Sequence, residues 1–84
     1  MLASHAFPGE YIVKAFGPKT DGFRDAVHAS AAQVVGAARV RIAERSSRHG
    51  RRVCVTLTIA AETVDDVIGV YAQICRVPEL MMIL

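Results

Sequence analysis

The chain has no tryptophan and only two cysteines, Cys54 and Cys75. That is too few for a disulfide scaffold, and the spacing fits no zinc motif. Nor are the two expected to bond to each other. Strand and helix phases point Cys54 outward and Cys75 into the core, whereas a bridge needs Cα atoms within about 7 Å and converging side chains. No basic start followed by an apolar run opens the chain, so no signal peptide is expected. No apolar run approaches the ~18 residues of a membrane helix. Repeats and low-complexity tracts are absent. Gly17 and Gly22 lack the pattern and the Lys-Ser/Thr ending of a phosphate-binding loop. The simplest location is the cytoplasm, with both thiols reduced.

What is present is one globular domain. The apolar fraction is 52%, too high for a disordered chain. At 84 residues the core is thin; such a chain buries roughly 60–65% of its unfolded surface. A deep private cavity for a large cofactor is not expected, and no cofactor is assigned. A ligand belongs on a face, in a groove or between subunits. Residues 1–9 read as an irregular lead-in and 10–84 as the folded domain.

Glu10 to Phe16 reads as a strand, with Tyr11, Val13 and Ala15 on one side and Ile12, Lys14 and Phe16 on the other. Gly17 and Pro18 stop it. Asp21 is the expected N-cap of a first helix, whose apolar face holds Phe23, Ala26, Val27, Ser30, Ala31 and Val34. Gly36 terminates that helix. From Arg39 the period becomes two, with Val40 and Ile42 alternating with Arg39, Arg41, Ala43 and Arg45. Ser46 to Arg51 forms a hairpin loop. Arg52 to Ala60 is the strongest strand pattern, with Val53, Val55, Leu57 and Ile59 on one side and Cys54, Thr56 and Thr58 on the other. Thr63 caps a second helix with Asp65 and Asp66 in its first turn. Its expected stripe is Val64, Val67, Ile68, Tyr71, Ile74 and Cys75, and Pro78 ends it. Leu80 to Leu84 makes a final strand.

This order is β-α-β-β-α-β. Each element has one apolar face, so two helices on one side of a four-stranded antiparallel sheet complete the fold, an α+β ferredoxin-like sandwich. The expected core is Tyr11, Val13, Phe23, Val27, Val34, Val40, Ile42, Val53, Val55, Leu57, Ile59, Val67, Ile68, Tyr71 and Ile74. The other sheet face stays open, showing Ile12, Lys14, Phe16, Arg39, Arg41, Ala43, Arg45, Cys54, Thr56 and Thr58.

The net charge of +2 is unevenly spread, for Arg39, Arg41, Arg45, Arg48, Arg51 and Arg52 cluster against the single acid Glu44. Such a patch attracts phosphates, carboxylates or acidic proteins. A solvated hairpin tip beside an edge strand kept soluble by charge accounts for the same arginines, and is the plainer reading. Candidate anion- or ligand-binding residues are Lys14, Phe16, Arg39, Arg41, Arg45, Arg51 and Arg52. No catalytic or metal-binding set emerges. His5, His28 and His49 lie in the tail, on the first helix and in the hairpin loop. Cys54 near Arg52 fits an activated thiol but fits a plain strand position better. Asp65 and Asp66 serve the helix dipole. RNA recognition through the open face lacks its aromatic platform, since Phe16 stands alone there.

Taken together, Phe7-Pro8, Tyr11, Lys14 and Gly17 (F-P-x-x-Y-x-x-K-x-x-G), Ser46-Ser47, Gly50, Val55-Thr56-Leu57-Thr58-Ile59, Ala61, Val67, Tyr71 and Leu84 resemble the small, uncharacterised bacterial YbeD-like family. The likeness runs from about Phe7 to Leu84. It departs at Arg52, where an aromatic commonly follows the hairpin glycine, at Cys54, where a serine-like residue is usual, and at Ala60, where asparagine is common. The resemblance implies a fold similar to ACT regulatory domains, which bind small metabolites at subunit interfaces, and a lipoate-binding regulatory role; it implies no catalytic residue, and fold likeness alone does not assign function.

The expectation is therefore a non-enzymatic regulatory or ligand-sensing domain. A small lipoate-like carboxylate would suit Arg41, Arg45 and Lys14 around Ile12 and Phe16. The alternative is an interaction module that docks an acidic protein or forms a homodimer through the sheet. Nucleic-acid binding through the arginine-rich hairpin is weaker, and no membrane role is expected.

Overall fold

A computed structural model describes residues 8–46 and 50–84. His5, Phe7, Ser47, Arg48 and His49 lie outside the described residues. The elements run β1 (Gly9–Pro18), α1 (Asp21–Val35), a 3-10 turn (Ala37–Arg39), β2 (Val40–Ser46), β3 (Arg52–Ala61), α2 (Val64–Ile74) and β4 (Met82–Ile83). The sheet is antiparallel throughout, in the order β2-β3-β1-β4. This is the expected α+β ferredoxin-like layout.

Several boundaries differ from the sequence reading. Strand β1 does not stop at Phe16; Gly17 pairs with Val53 and Pro18 with Arg52. Gly17 is required for packing rather than for a turn. A Cβ there would stand 2.4 Å from Cζ of Phe23, whose ring lies directly on the backbone. Thr20, not Asp21, caps α1. Its backbone is extended and its Oγ1 accepts from the Phe23 N–H at 3.1 Å, whereas Asp21 is already helical. Arg39 belongs to the 3-10 turn and so leaves the alternation of β2. Residues 78–81 are not strand, and β4 pairs only Met82 and Ile83 before a last backbone pair joins Leu84 to Lys14.

The cap of α2 is as expected. Thr63 Oγ1 accepts from the Asp66 N–H at 3.4 Å, and Asp66 Oδ2 accepts from the Glu62 N–H at 2.9 Å. Two donors at the helix start are thus satisfied, in an arrangement that differs from a capping box in that the Asp66 carboxylate reaches one residue beyond the cap.

The core lies between sheet and helices. Val13, Ala15, Phe23, Val27, Ala31, Val55, Leu57, Ile59, Val70 and Ile74 are fully enclosed. Tyr11, Val34 and Tyr71 are only half-buried. Ile42, expected in the core, is 38% exposed because β2 is the outer strand. Helix α2 is turned about one residue from its expected phase. Val67, Val70 and Ile74 are buried, whereas Val64, Ile68 and Cys75 are exposed. The rotation follows the approach of the two helices. Gly69 sits against Val34, and a Cβ at Gly69 would meet Val34 Cγ1 at 3.0 Å. Both cysteines are free thiols.

Candidate functional site

The register places alternate residues of all four strands on the uncovered sheet face. Arg41, Thr58 and Ile12 form one cross-strand row. Ala43, Thr56, Lys14 and Leu84 form the next. Arg45, Cys54, Phe16 and Met82 form a third, and Arg52 and Pro18 a fourth. Small side chains in the middle of the β2–β3 half, Ala43, Thr56 and Cys54, leave a depression between longer ones.

That depression has two connected parts. A hollow of about 360 Å³ is lined by Lys14, Ala43, Glu44, Arg45, Cys54 and Thr56. A second, of about 270 Å³, is lined by Phe16, Arg45, Ser46, Arg52, Val53 and Cys54. Arg45 and Cys54 belong to both, so the two form one trough. It is polar towards Lys14 and Thr56 and apolar towards Phe16. Cys54 is half-buried at the junction, with Sγ 3.8 Å from Thr56 Oγ1.

The candidate cations divide into two groups. Arg39 and Arg41 are used internally: Arg39 Nη1 lies 3.0 Å from Glu62 Oε1, and Arg41 Nη2 lies 2.7 Å from Glu10 Oε2. The hydrogen bond that Arg39 donates to Glu62, then the charge of that carboxylate, raises the Arg39 pKa further above its already high ordinary value. Arg41 spans two strands to reach Glu10, roughly 9–10 Å of sheet. Lys14, Arg45, Arg51 and Arg52, by contrast, have no carboxylate within ion-pair distance among the described residues. Of these, Lys14, Arg45 and Arg52 line the trough. Arg51 precedes β3, where its carbonyl accepts from the Lys19 N–H at 3.3 Å.

Of the residues singled out from sequence, the structure therefore brings together Lys14, Phe16, Arg45 and Arg52. It separates Arg39 and Arg41 from them and leaves Arg51 at the margin. Sequence reasoning missed Glu10, which occupies Arg41, and also Met82 and Leu84, which extend the apolar side beside Phe16 and Lys14 at 50% and 60% exposure. The signal for the last two was the alternation of the final segment, invisible until its register with β1 is known.

His28 is half-buried on α1, on the covered side of the sheet, so it does not meet Cys54. Among the described residues no group of three or more His, Cys, Asp or Glu side chains is placed to hold a metal ion, and no helix is long and apolar enough to cross a membrane.

Fold and site together define a small ferredoxin-like domain with one sheet face left open by the described residues and a partly basic trough across it. Over residues 3–84 the chain matches the family described as "Protein of unknown function (DUF493)", and it belongs to that family. This membership agrees with the likeness to small uncharacterised YbeD-like proteins. No curated protein and no solved structure matches the chain.

Proposed function

We propose that this domain is a non-catalytic binding module whose open sheet face takes an amphipathic carboxylate, and that the bound acid regulates a partner. One observation carries the reading: Arg45 and Arg52, without carboxylate partners among the described residues, flank the same hollow as the ring of Phe16. Guanidinium groups hold a carboxylate in bidentate fashion, and an apolar wall favours an attached alkyl chain. The trough is of a size with small-molecule sites. The resemblance to ACT regulatory domains supports the same reading and favours a homodimer in which a second subunit closes the open face. Lipoate is one acid of the right shape.

The test is calorimetric titration with octanoate and lipoate, against octanamide as the uncharged analogue, at low and high salt. Both acids are expected to bind and the amide to bind at least tenfold more weakly. Arg45→Ala plus Arg52→Ala should abolish binding, and Phe16→Ala should weaken it. Affinity should hold as salt rises, because the apolar wall contributes. A steep fall with salt, together with binding of oligonucleotides, would point to phosphate neutralisation instead. Acids that bind no better than the amide would overturn the reading.

A further inference from the structure

The two outer strands of the sheet are unequal. Strand β4 is two residues long, and its backbone bonds to β1 run only from Met81 to Leu84, a short edge of the kind that resists added strands. Strand β2 is seven residues long. It pairs with β3 residue for residue from Val40 to Ser46, without a bulge, and contains no proline.

The ladder pattern shows which backbone groups of β2 have no partner among the described residues. Lys14 exchanges both backbone bonds with Leu84 on β4, at 3.1 and 2.8 Å. Even-numbered residues of β1 thus face β4 and odd-numbered ones face β3. Alternation in an antiparallel ladder then turns Cys54, Thr56 and Thr58 of β3 towards β2, where they meet Arg45, Ala43 and Arg41. Ile42, Glu44 and Ser46 are left with N–H and C=O groups aimed outward from the sheet.

Charged side chains commonly guard such an edge. Here two of them are drawn away from it. Arg41 reaches inward across β3 to Glu10 at 2.7 Å, and Glu44 is held by Arg24 of α1 at 3.4 Å. Arg45 remains without a carboxylate among the described residues, and Ile42 stays partly exposed on the other face of the strand.

We propose that the outer edge of β2 docks an extended acidic segment of another protein, which adds to the sheet as a fifth strand. Main-chain bonds to Ile42 and Glu44 would supply the binding, and side chains the choice of partner. In an antiparallel arrangement, an acid opposite Arg45 and an apolar residue three positions later, opposite Ile42, complete the match. The charges favour such a segment over a second copy of this chain. Two β2 strands paired antiparallel about Ala43 would set each Arg41 opposite the other copy's Arg45, a destabilising like-charge pair.

The experiment uses a short synthetic β-prone peptide carrying an acid and, three residues later, valine. A control peptide replaces the acid with lysine. Anisotropy should show the acidic peptide binding at least tenfold tighter than the control. Glu44→Pro removes one outward N–H while making the protein more positive, and Glu44→Gln changes the charge alone. The proline variant should lose binding; the glutamine variant should match or exceed the wild type. Equal binding by both Glu44 variants would reduce the effect to net charge and overturn the proposal. On the unmutated protein, peptide should slow amide exchange at Ile42 and Glu44, whatever the proline does to folding. Absence of that protection would also overturn the proposal. So would a concentration-dependent dimer that protects the same amides and excludes the peptide, since the occupant would then be a second copy. Phe16→Ala should leave peptide affinity unchanged, which separates this edge from the carboxylate trough.

Discussion

The two faces of the sheet are built from the same strands and behave as different materials. On the covered face Val13, Ala15, Val55, Leu57 and Ile59 are wholly enclosed, whereas on the open face Ile12 is 55% exposed and Met82 50%. Successive residues change face, so a step from Leu57 to Thr58 crosses from core to surface. Full burial of such an aliphatic side chain contributes about 1.5–3 kcal/mol. The covered face therefore accounts for most of the stability. The open face can change its chemistry at little cost, which is where a binding function is affordable in so small a domain.

The strongest challenge to this contrast is a pair of adjacent substitutions. Leu57→Ala should destabilise the domain by about 2–5 kcal/mol. Thr56→Ala, one residue earlier and on the other face, should stay within about 0.5 kcal/mol. Denaturant midpoints with unchanged slopes would measure both. A larger loss at Thr56 than at Leu57 would mean that the register is displaced by one residue.

A second measurement sharpens the border of the covered face. There Tyr11 of β1 and Tyr71 of α2 meet edge to face, with ring centroids 6.3 Å apart. Burial, and then Tyr11 beside it, pushes the Tyr71 hydroxyl up to about 12 from the usual 10. In the unfolded chain Tyr71 loses its proton near the ordinary value, while the folded chain still holds it. Stability from this site is therefore present below pH ~10 and lost as pH rises towards ~12. Tyr71→Phe should flatten that part of the stability profile, and absorbance titration of the wild type should show one phenol ionising late. A profile unchanged by the substitution would place Tyr71 in open solvent.

These two tests concern what was legible in sequence. The strands could be read because their alternation is strict: Val53, Val55, Leu57 and Ile59 face the helices as expected. Helix α2 was harder. Its apolar residues run nearly all round, so periodicity alone puts Val64 and Ile68 on the buried stripe and leaves out Val70, whereas the close approach of Val34 at Gly69 selects the phase that buries Val70. Ala15, Ala31, Ala61 and Val77 are buried too, but small side chains, or one beyond the helix end, carry little periodic signal. At the candidate site, Lys14, Phe16 and Arg45 were readable from strand phase. That Glu10 would take Arg41, and Glu62 would take Arg39, was not, because both pairs join segments far apart in the chain. Local pattern places a charge on a face but does not say which opposite charge will reach it.

The smallest effect tests the other half of the contrast. The 2.7 Å contact between Arg41 and Glu10 is short, yet the two side chains are 72% and 64% exposed. Water solvates both charges when they are apart, and holding two long side chains together costs rotamer entropy. Exposed pairs of this kind contribute about 0.2–1 kcal/mol. A double-mutant cycle with Arg41→Ala and Glu10→Ala should give a coupling in that range and a smaller one at high salt. Each single substitution should barely move the unfolding midpoint. A coupling of about 2 kcal/mol or more, insensitive to salt, would mean that the open face is closed over this pair and contributes to the core. A weak, screened coupling would leave Arg41 free to exchange Glu10 for another carboxylate at low energetic cost. In that case Glu10→Ala should increase the affinity of the open face for anions while leaving stability almost unchanged.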